Sequence, residues 1–288
     1  MAKDIAIGVI HGVGTQHDCK PIDSAERSYS AKLYQGLSRR LGKKAMARVA
    51  WREIAWADLL AKRQREYLLK IRKNTRWQKP RKLILENLSD AFAYQRTAVS
   101  SDADDGARRH NTYRQIHERV HEILARLEKD VLRGAPLILF AHSLGAHIMS
   151  NYIYDAQKAG AHGSAPFGNM TRVAQFVTFG CNIPLFLFSL PEDCVAPIKR
   201  PDQGLSPAPT SDRWWFNFYD KDDWLAYPLA EACDEYKAMV DCGELEEETG
   251  DVGNLLTSWN ILSHNDYWGG RGFLRPAAKI VKDVMAAY

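Results

Sequence analysis

Apolar and polar positions along this chain follow two periods. Short, nearly unbroken apolar runs occur at 4–10 (DIAIGVI), 136–141 (PLILFA), 173–180 (VAQFVTFG) and 213–219 (RWWFNFY). Runs of that length, bounded by Gly, Pro or charge, predict buried strands. AMARVAW at 45–51 predicts one more. Between them the spacing turns helical. Leu33, Leu37 and Leu41 place a helix over 24–41, with Ser24 positioned to cap it. Ile116, Val120, Ile123, Leu127 and Val131 form one stripe of a helix over 107–132. A helix runs from Leu144 to about Lys158, and a last one covers 276–287 with Pro276 in its first turn. Strands alternating with helices predict an α/β fold, a mostly parallel sheet covered on both faces. No repeat and no linker divides the chain. SDADDG at 101–106 reads as a polar loop, and the Pro-rich stretch 191–209 as a surface excursion.

One stretch breaks the alternation. Residues 57–99 are mostly charged, with apolar positions at Leu59, Leu60, Leu68, Leu69, Leu83 and Leu88. Two or three amphipathic helices are expected there. They make 57–105 a helical cap or lid inserted into a single domain over 1–288.

Composition narrows the partners. Of 288 residues 45% are apolar, enough for a sizeable core, and the net charge is only +4. A mean hydropathy of −0.38 points to a soluble chain. No global field announces a nucleic-acid partner. The charge is uneven, however. Residues 62–82 hold ten Lys or Arg against Glu66 alone, while 244–251 carry Glu244, Glu246, Glu247, Glu248 and Asp251. The basic run is either a solvated cap or a surface for anionic lipid head groups or a phosphorylated substrate. Five cysteines (Cys19, Cys181, Cys194, Cys233, Cys242) form no C-x-x-C pair, which argues against a metal or disulfide framework and fits a reducing compartment. The start, MAKDIAIGVIHGVG, is too short and Gly-broken for a secretory signal, and no run approaches a membrane span. A cytoplasmic location is expected.

Chemistry concentrates in four segments. Ala141-His142-Ser143-Leu144-Gly145 sits where a strand ends and a helix begins. A sharp turn there exposes Ser143 as a nucleophile at the cost of backbone strain, and it requires small residues two places before and after, met by Ala141 and Gly145. His11-Gly12-Val13-Gly14-Thr15 follows the first strand. Its glycines free backbone amides to face a ligand, so Val13, with Leu144, is a candidate oxyanion donor. The dinucleotide pattern fails because position 17 is His17, and no Gly-Lys-Ser/Thr occurs. After the strand at 213–219 come Asp220, Asp222 and Asp223, three acids competing to orient a histidine. His264, in SHNDYW, is the only one of nine histidines that lies beyond them. His142 and His147, flanking Ser143, read as packing residues. Trp214, Trp215, Trp224 and Trp268 are candidates for an acyl pocket or for core.

A rival motif is present. His117-Glu118-Arg119-Val120-His121 matches H-E-x-x-H on a helix, the spacing of a zinc hydrolase. Its context is poor. Positions 124 and 127, where an extended site needs Gly and His, are leucines, and in the stretch some twenty residues or more downstream, where the other form takes a Glu ligand, no Glu appears until Glu192.

Taken together, IHGVGT at 10–15, LFAHSLGA at 139–146, VTFGCNIP at 177–184 and YDKDDWLAYPL at 219–229 resemble the lipase and esterase branch of the α/β-hydrolases. The resemblance covers roughly 1–50 and 107–288, not the basic insertion. The first element of the Ser143 motif is Ala141 in place of the usual Gly, and the two strands that often precede the His-Gly strand are missing. The resemblance implies an α/β-hydrolase fold and a Ser143–His264–Asp223 triad. Asp223 is preferred over Asp220 because Asp223-Trp224-Leu225-Ala226-Tyr227-Pro228 has the shape found after the acid in that branch. It also implies cleavage of a small-molecule or lipid ester through an acyl-enzyme, without cofactor or metal. A catalytically silent binding relative is the alternative from another class.

Overall fold

The structure is a computed structural model; it describes residues 2–13, 27–72, 85, 89–94, 112–159, 167–188, 196–201, 204–250 and 263–288. Six parallel strands form one sheet in the order β2-β1-β3-β4-β5-β6. They are β1 Ile5–Ile10, β2 Val49–Ile54, β3 Leu137–His142, β4 Val173–Phe179, β5 Trp215–Tyr219 and β6 Leu245–Thr249. Every residue of β1 and β3 is buried. That is the signature of central parallel strands with helices on both faces, and it is why they read as continuous apolar runs.

Alternate side chains feed two cores. Ile5, Ile7 and Val9 join Ile138 and Phe140 against α1 (Ala31–Leu41) and the C-terminal helix α8 (Arg271–Ala287). Ala6 and Ile10 join Leu137, Leu139 and Ala141 against α4 (Thr112–Lys129) and α5 (Leu144–Ala159). Ile116, Val120, Ile123 and Leu127 of the expected stripe are buried on α4, with Tyr113 and Leu124 added; the helix ends at Lys129, so Val131 lies beyond it, buried in a bridge to Lys3. The remaining helices are the single turn α2 (Lys43–Met46), α3 (Asp58–Ile71), α6 (Ile183–Leu187) and α7 (Asp234–Asp241).

Three expectations need correction, and one strand is unforeseen. The strand placed at 45–51 begins at Val49, because Lys43–Met46 close one helical turn first. Helix α1 begins at Ala31, after bends at Ser28–Ser30 pinned by Glu53, whose carboxylate accepts from the Ser28 and Ser30 amides and hydroxyls; Ser24 lies outside the described residues. Pro276 is the sixth residue of α8, which starts at Arg271 after Gly269-Gly270. The acidic run holds an unforeseen strand, β6, at the sheet edge. Its acids have partners: Glu246 pairs with Arg213, and Glu247 accepts from the amides of Leu229 (2.5 Å) and Ala230 (3.3 Å) and from Asn217 Nδ2 (3.0 Å).

Within 57–105, α3 and a short helical stretch at 89–93 are helical as expected. Residues 73–84, 86–88 and 95–105 lie outside the described residues, as do the loop 101–106, the start of 107–132, and 191–195 and 202–203 of the Pro-rich stretch.

Candidate active site

Ser143 is the single residue between β3 and α5, with φ 55°. An L-residue in the left-handed region is disfavoured by roughly 1–2 kcal/mol and persists only where its surroundings enforce it. Here two hydrogen bonds do so. The Ser143 amide extends the sheet ladder to Phe179 O (3.1 Å), while its carbonyl accepts from the Ala146 amide (2.9 Å) and opens the helix. The need for a small residue at 145 comes from the neighbouring strand, not from Ala141. A Cβ on Gly145 would lie 2.5 Å from His11 O, and one on Gly12 would lie 2.5 Å from Ser143 Cβ. The ends of β1 and β3 therefore meet at the serine. The turn does not expose Ser143 as expected: it is 2% accessible, with the Gly12 loop against it.

His264 lies on a short 3-10 helix, Ser263–Trp268. Its Nδ1 donates to Asp223 Oδ2 at 2.8 Å, and both side chains are buried. Bonded to a carboxylate, Nδ1 carries the proton, so Nε2 presents a lone pair. That atom is buried and makes no hydrogen bond. The Ser143–His264 bond is thus not made in this conformation, a common state of unliganded sites. The two elements converge all the same. A Cβ at Gly180, the residue after Phe179, would lie 3.1 Å from His264 Cε1 and 3.2 Å from His142 Nε2.

Of the three competing acids, only Asp223 bonds the imidazole. Its Oδ1 accepts from the Leu225 amide at 3.0 Å. Asp220 forms a turn instead, accepting from the Asp222 amide at 2.9 Å, and Asp222 is exposed. Tyr267, one turn beyond His264, ties the two loops together. Its hydroxyl accepts from the Asp220 amide at 2.8 Å and hydrogen-bonds the Asp223 carboxylate. Burial, and then the Asp223 charge, hold the phenol un-ionised far above the ordinary tyrosine range. Tyr267→Phe should lower kcat by about tenfold through the lost bond to Asp223, and stability by about 1–3 kcal/mol through the orphaned Asp220 amide. Parallel kinetics and thermal melts would check this, and unchanged values in both would contradict it.

His142 does more than pack. Its Nε2 bonds the backbone carbonyl of His264 at 2.8 Å. Burial, and then the nearby His264, push it well below the usual histidine range, so it is neutral and Nε2–H is the donor. His11 likewise donates Nδ1–H to Gly12 O at 2.6 Å while stacking on Trp56. A trans peptide sets C=O and N–H in opposite directions. With Gly12 O turned to His11, the Val13 amide points away from that ring. The Leu144 amide, in the first turn of α5, has no intrahelical acceptor and lies at the positive end of the helix dipole. Gly14 and Thr15 lie outside the described residues.

His147 is a packing residue, stacked on Phe186 with centroids 4.1 Å apart. Trp214 and Trp215 are fully buried in the core on the α5 side, Trp268 packs against His142, and Trp224 is 68% exposed. None of the first three is free to shape an open acyl groove.

Burial lowers His11 and His147 each to about 3. Their folded pKa lies below the unfolded value, so the stability they contribute is complete above about pH 6.5 and is lost as pH falls towards 3. Together they should cost about 2.7 kcal/mol per pH unit over that window. Urea midpoints between pH 7 and 5 should fall steeply, and less so in His147→Phe. A flat profile would contradict the buried neutral assignment.

The residues of the zinc-like motif are committed elsewhere. His117 bonds Tyr94 OH (2.8 Å) and faces Asp155, His121 bonds Tyr152 OH (2.9 Å), and Glu118 pairs with Arg114. Among the described residues no group of three metal-ligating side chains forms.

No protein-family model matches the chain, and no curated protein matches it. Solved structures do. The chain is similar to a protein described as a hydrolase of the α/β superfamily from Xanthomonas campestris, at 12% identity and a TM-score of 0.39, over 98% of this chain and 99% of that one. It is similar to esterase PE8 at 11% identity and a TM-score of 0.40, over 98% and 94%. The all-parallel order β2-β1-β3-β4-β5-β6, helices on both faces and the strand–Ser143–helix turn give this chain the α/β-hydrolase fold.

Proposed function

We propose that the protein is a serine hydrolase that cleaves a carboxylic ester through an acyl-enzyme. The observation that carries the reading is the buried His264–Asp223 pair at 2.8 Å, with an unpartnered Nε2, beside a serine held at φ 55°. In the reaction, Ser143 Oγ attacks the acyl carbonyl and His264 Nε2 takes its proton. The amides of Val13 and Leu144 hold the oxyanion. The tetrahedral intermediate collapses, the C–O bond to the alcohol breaks, and His264 returns the proton to the leaving oxygen. Water, deprotonated by His264, then attacks the acyl-enzyme, and Ser143 Oγ leaves with the proton restored. Asp223 stabilises the imidazolium and fixes its tautomer. No step draws on a cofactor. We read 57–105 as a cap inserted in the domain, of which residues 57–72, 85 and 89–94 are described.

The test is turnover of p-nitrophenyl esters graded by acyl length, with and without a chelator. Turnover that survives chelation and vanishes in Ser143→Ala fits the proposal. Loss on chelation would transfer it to a metal site, and no turnover of any ester would favour a silent binding relative.

A further inference from the structure

The outward side of α3 carries charge that the catalytic reading does not use. Leu60, Ala61 and Gln64 mark its inner face. At 3.6 residues per turn Lys62, Leu69 and Lys70 fall on the opposite side, with Arg63 and Arg65 on its two flanks. All five are exposed. Asp58 is bonded by Arg119, which leaves Glu66 as the one other acid on the helix. Among the described residues Lys62, Arg63, Arg65 and Lys70 form no ion pair. Large apolar side chains stand among these cations: Leu69 is 61% exposed and Tyr67 52%.

Beneath this face, buried contacts tie α3 to the elements around the site. Gln64 Nε2 donates to Asp90 Oδ1 (2.6 Å) and Ser89 Oγ (2.8 Å), joining α3 to the stretch that bears Phe92, itself 67% exposed. Tyr94, two residues on, meets the edge of His147 on α5, and His147 stacks on Phe186 of α6. Leu185 on α6 and Phe188 just after it are also exposed, Phe188 by 85%. Helix α6 follows Gly180, whose backbone passes against His264.

We propose that the α3 face, with Phe92 and Phe188, docks the protein on an anionic lipid bilayer. Unneutralised cations attract acidic head groups at about fivefold in partitioning for each Lys or Arg near the surface. Exposed Leu and Phe side chains gain by entering the acyl boundary, whereas a nucleic-acid backbone has no use for them. The role of docking, presenting lipid esters to Ser143, rests on the esterase reading; the docking itself does not.

Co-sedimentation with vesicles tests it. The intact protein should pellet with phosphatidylglycerol–phosphatidylcholine vesicles, not with phosphatidylcholine alone, and high salt should release it. Arg63→Glu/Arg65→Glu/Lys70→Glu should weaken binding by about a hundredfold or more, with an unchanged thermal midpoint as the check on folding. Phe188→Ser should weaken it independently of salt. An active protein that stays in solution, or binds both vesicles alike, or binds equally well after charge reversal, overturns the inference; so does binding to single-stranded DNA without binding to vesicles. Charge-dependent docking without any ester turnover would instead leave the inference standing and sink the esterase reading.

Discussion

Ser143→Ala is expected to lower kcat for ester hydrolysis by about a millionfold, as loss of a nucleophile that acts as one unit with its base does. The fold should persist, because what holds residue 143 is backbone: its amide on Phe179 O and its carbonyl on the Ala146 amide. Alanine keeps the strain at φ 55°, and glycine relieves it. Ser143→Gly should therefore be more stable than Ser143→Ala by about 1 kcal/mol while equally inactive. Thermal midpoints and ester kinetics on both variants check the pair. More than a tenth of wild-type activity in either would mean that another group is the nucleophile.

Asp223→Asn carries the next largest effect, about ten-thousandfold in kcat. Asparagine is nearly isosteric and buries well, but it no longer demands the proton on His264 Nδ1. The tautomer with a lone pair on Nε2 is then no longer favoured, and the imidazolium loses its counter-charge. Asp220→Asn should stay within about tenfold, because asparagine supports the turn that Asp220 makes with the Asp222 amide. The reverse ranking of the two would move the acid from 223 to 220.

How much of this was legible depends on whether a residue's partners lie within its own segment or across the fold. The central strands were readable because full burial on both faces leaves an unbroken apolar run, as in IAIGVI and LILFAH. Strand β6 was not. Glu246, Glu247 and Glu248 look solvated in sequence, and the strand is held by partners on other segments: Arg213 meets Glu246, and Asn217 and the Leu229 amide meet Glu247. Pro276 misled for a similar reason. Proline is best tolerated in a first turn, yet Phe273 and Leu274 already bury the stripe of α8 before it, which offsets one lost backbone bond.

The site divides the same way. The Ser143 turn announces itself locally, as apolar strand, small residue, serine and glycine. His264 follows from its place beyond the acids. Which acid bonds it depends on a contact spanning 41 positions, and the choice of Asp223 came from family shape, not from physics. The roles of His142, His11 and Tyr267 had no signal in the chain. Each acts through a hydrogen bond that exists only once β1, β3 and the 3-10 helix have met.

Labelling with a fluorophosphonate probe tests the central claim most directly, comparing wild type with Ser143→Ala and His264→Ala. The account predicts strong labelling of wild type and none of either variant, since the probe reports a serine activated by its base. A folded wild-type protein that takes no label, or label retained in Ser143→Ala, would contradict it.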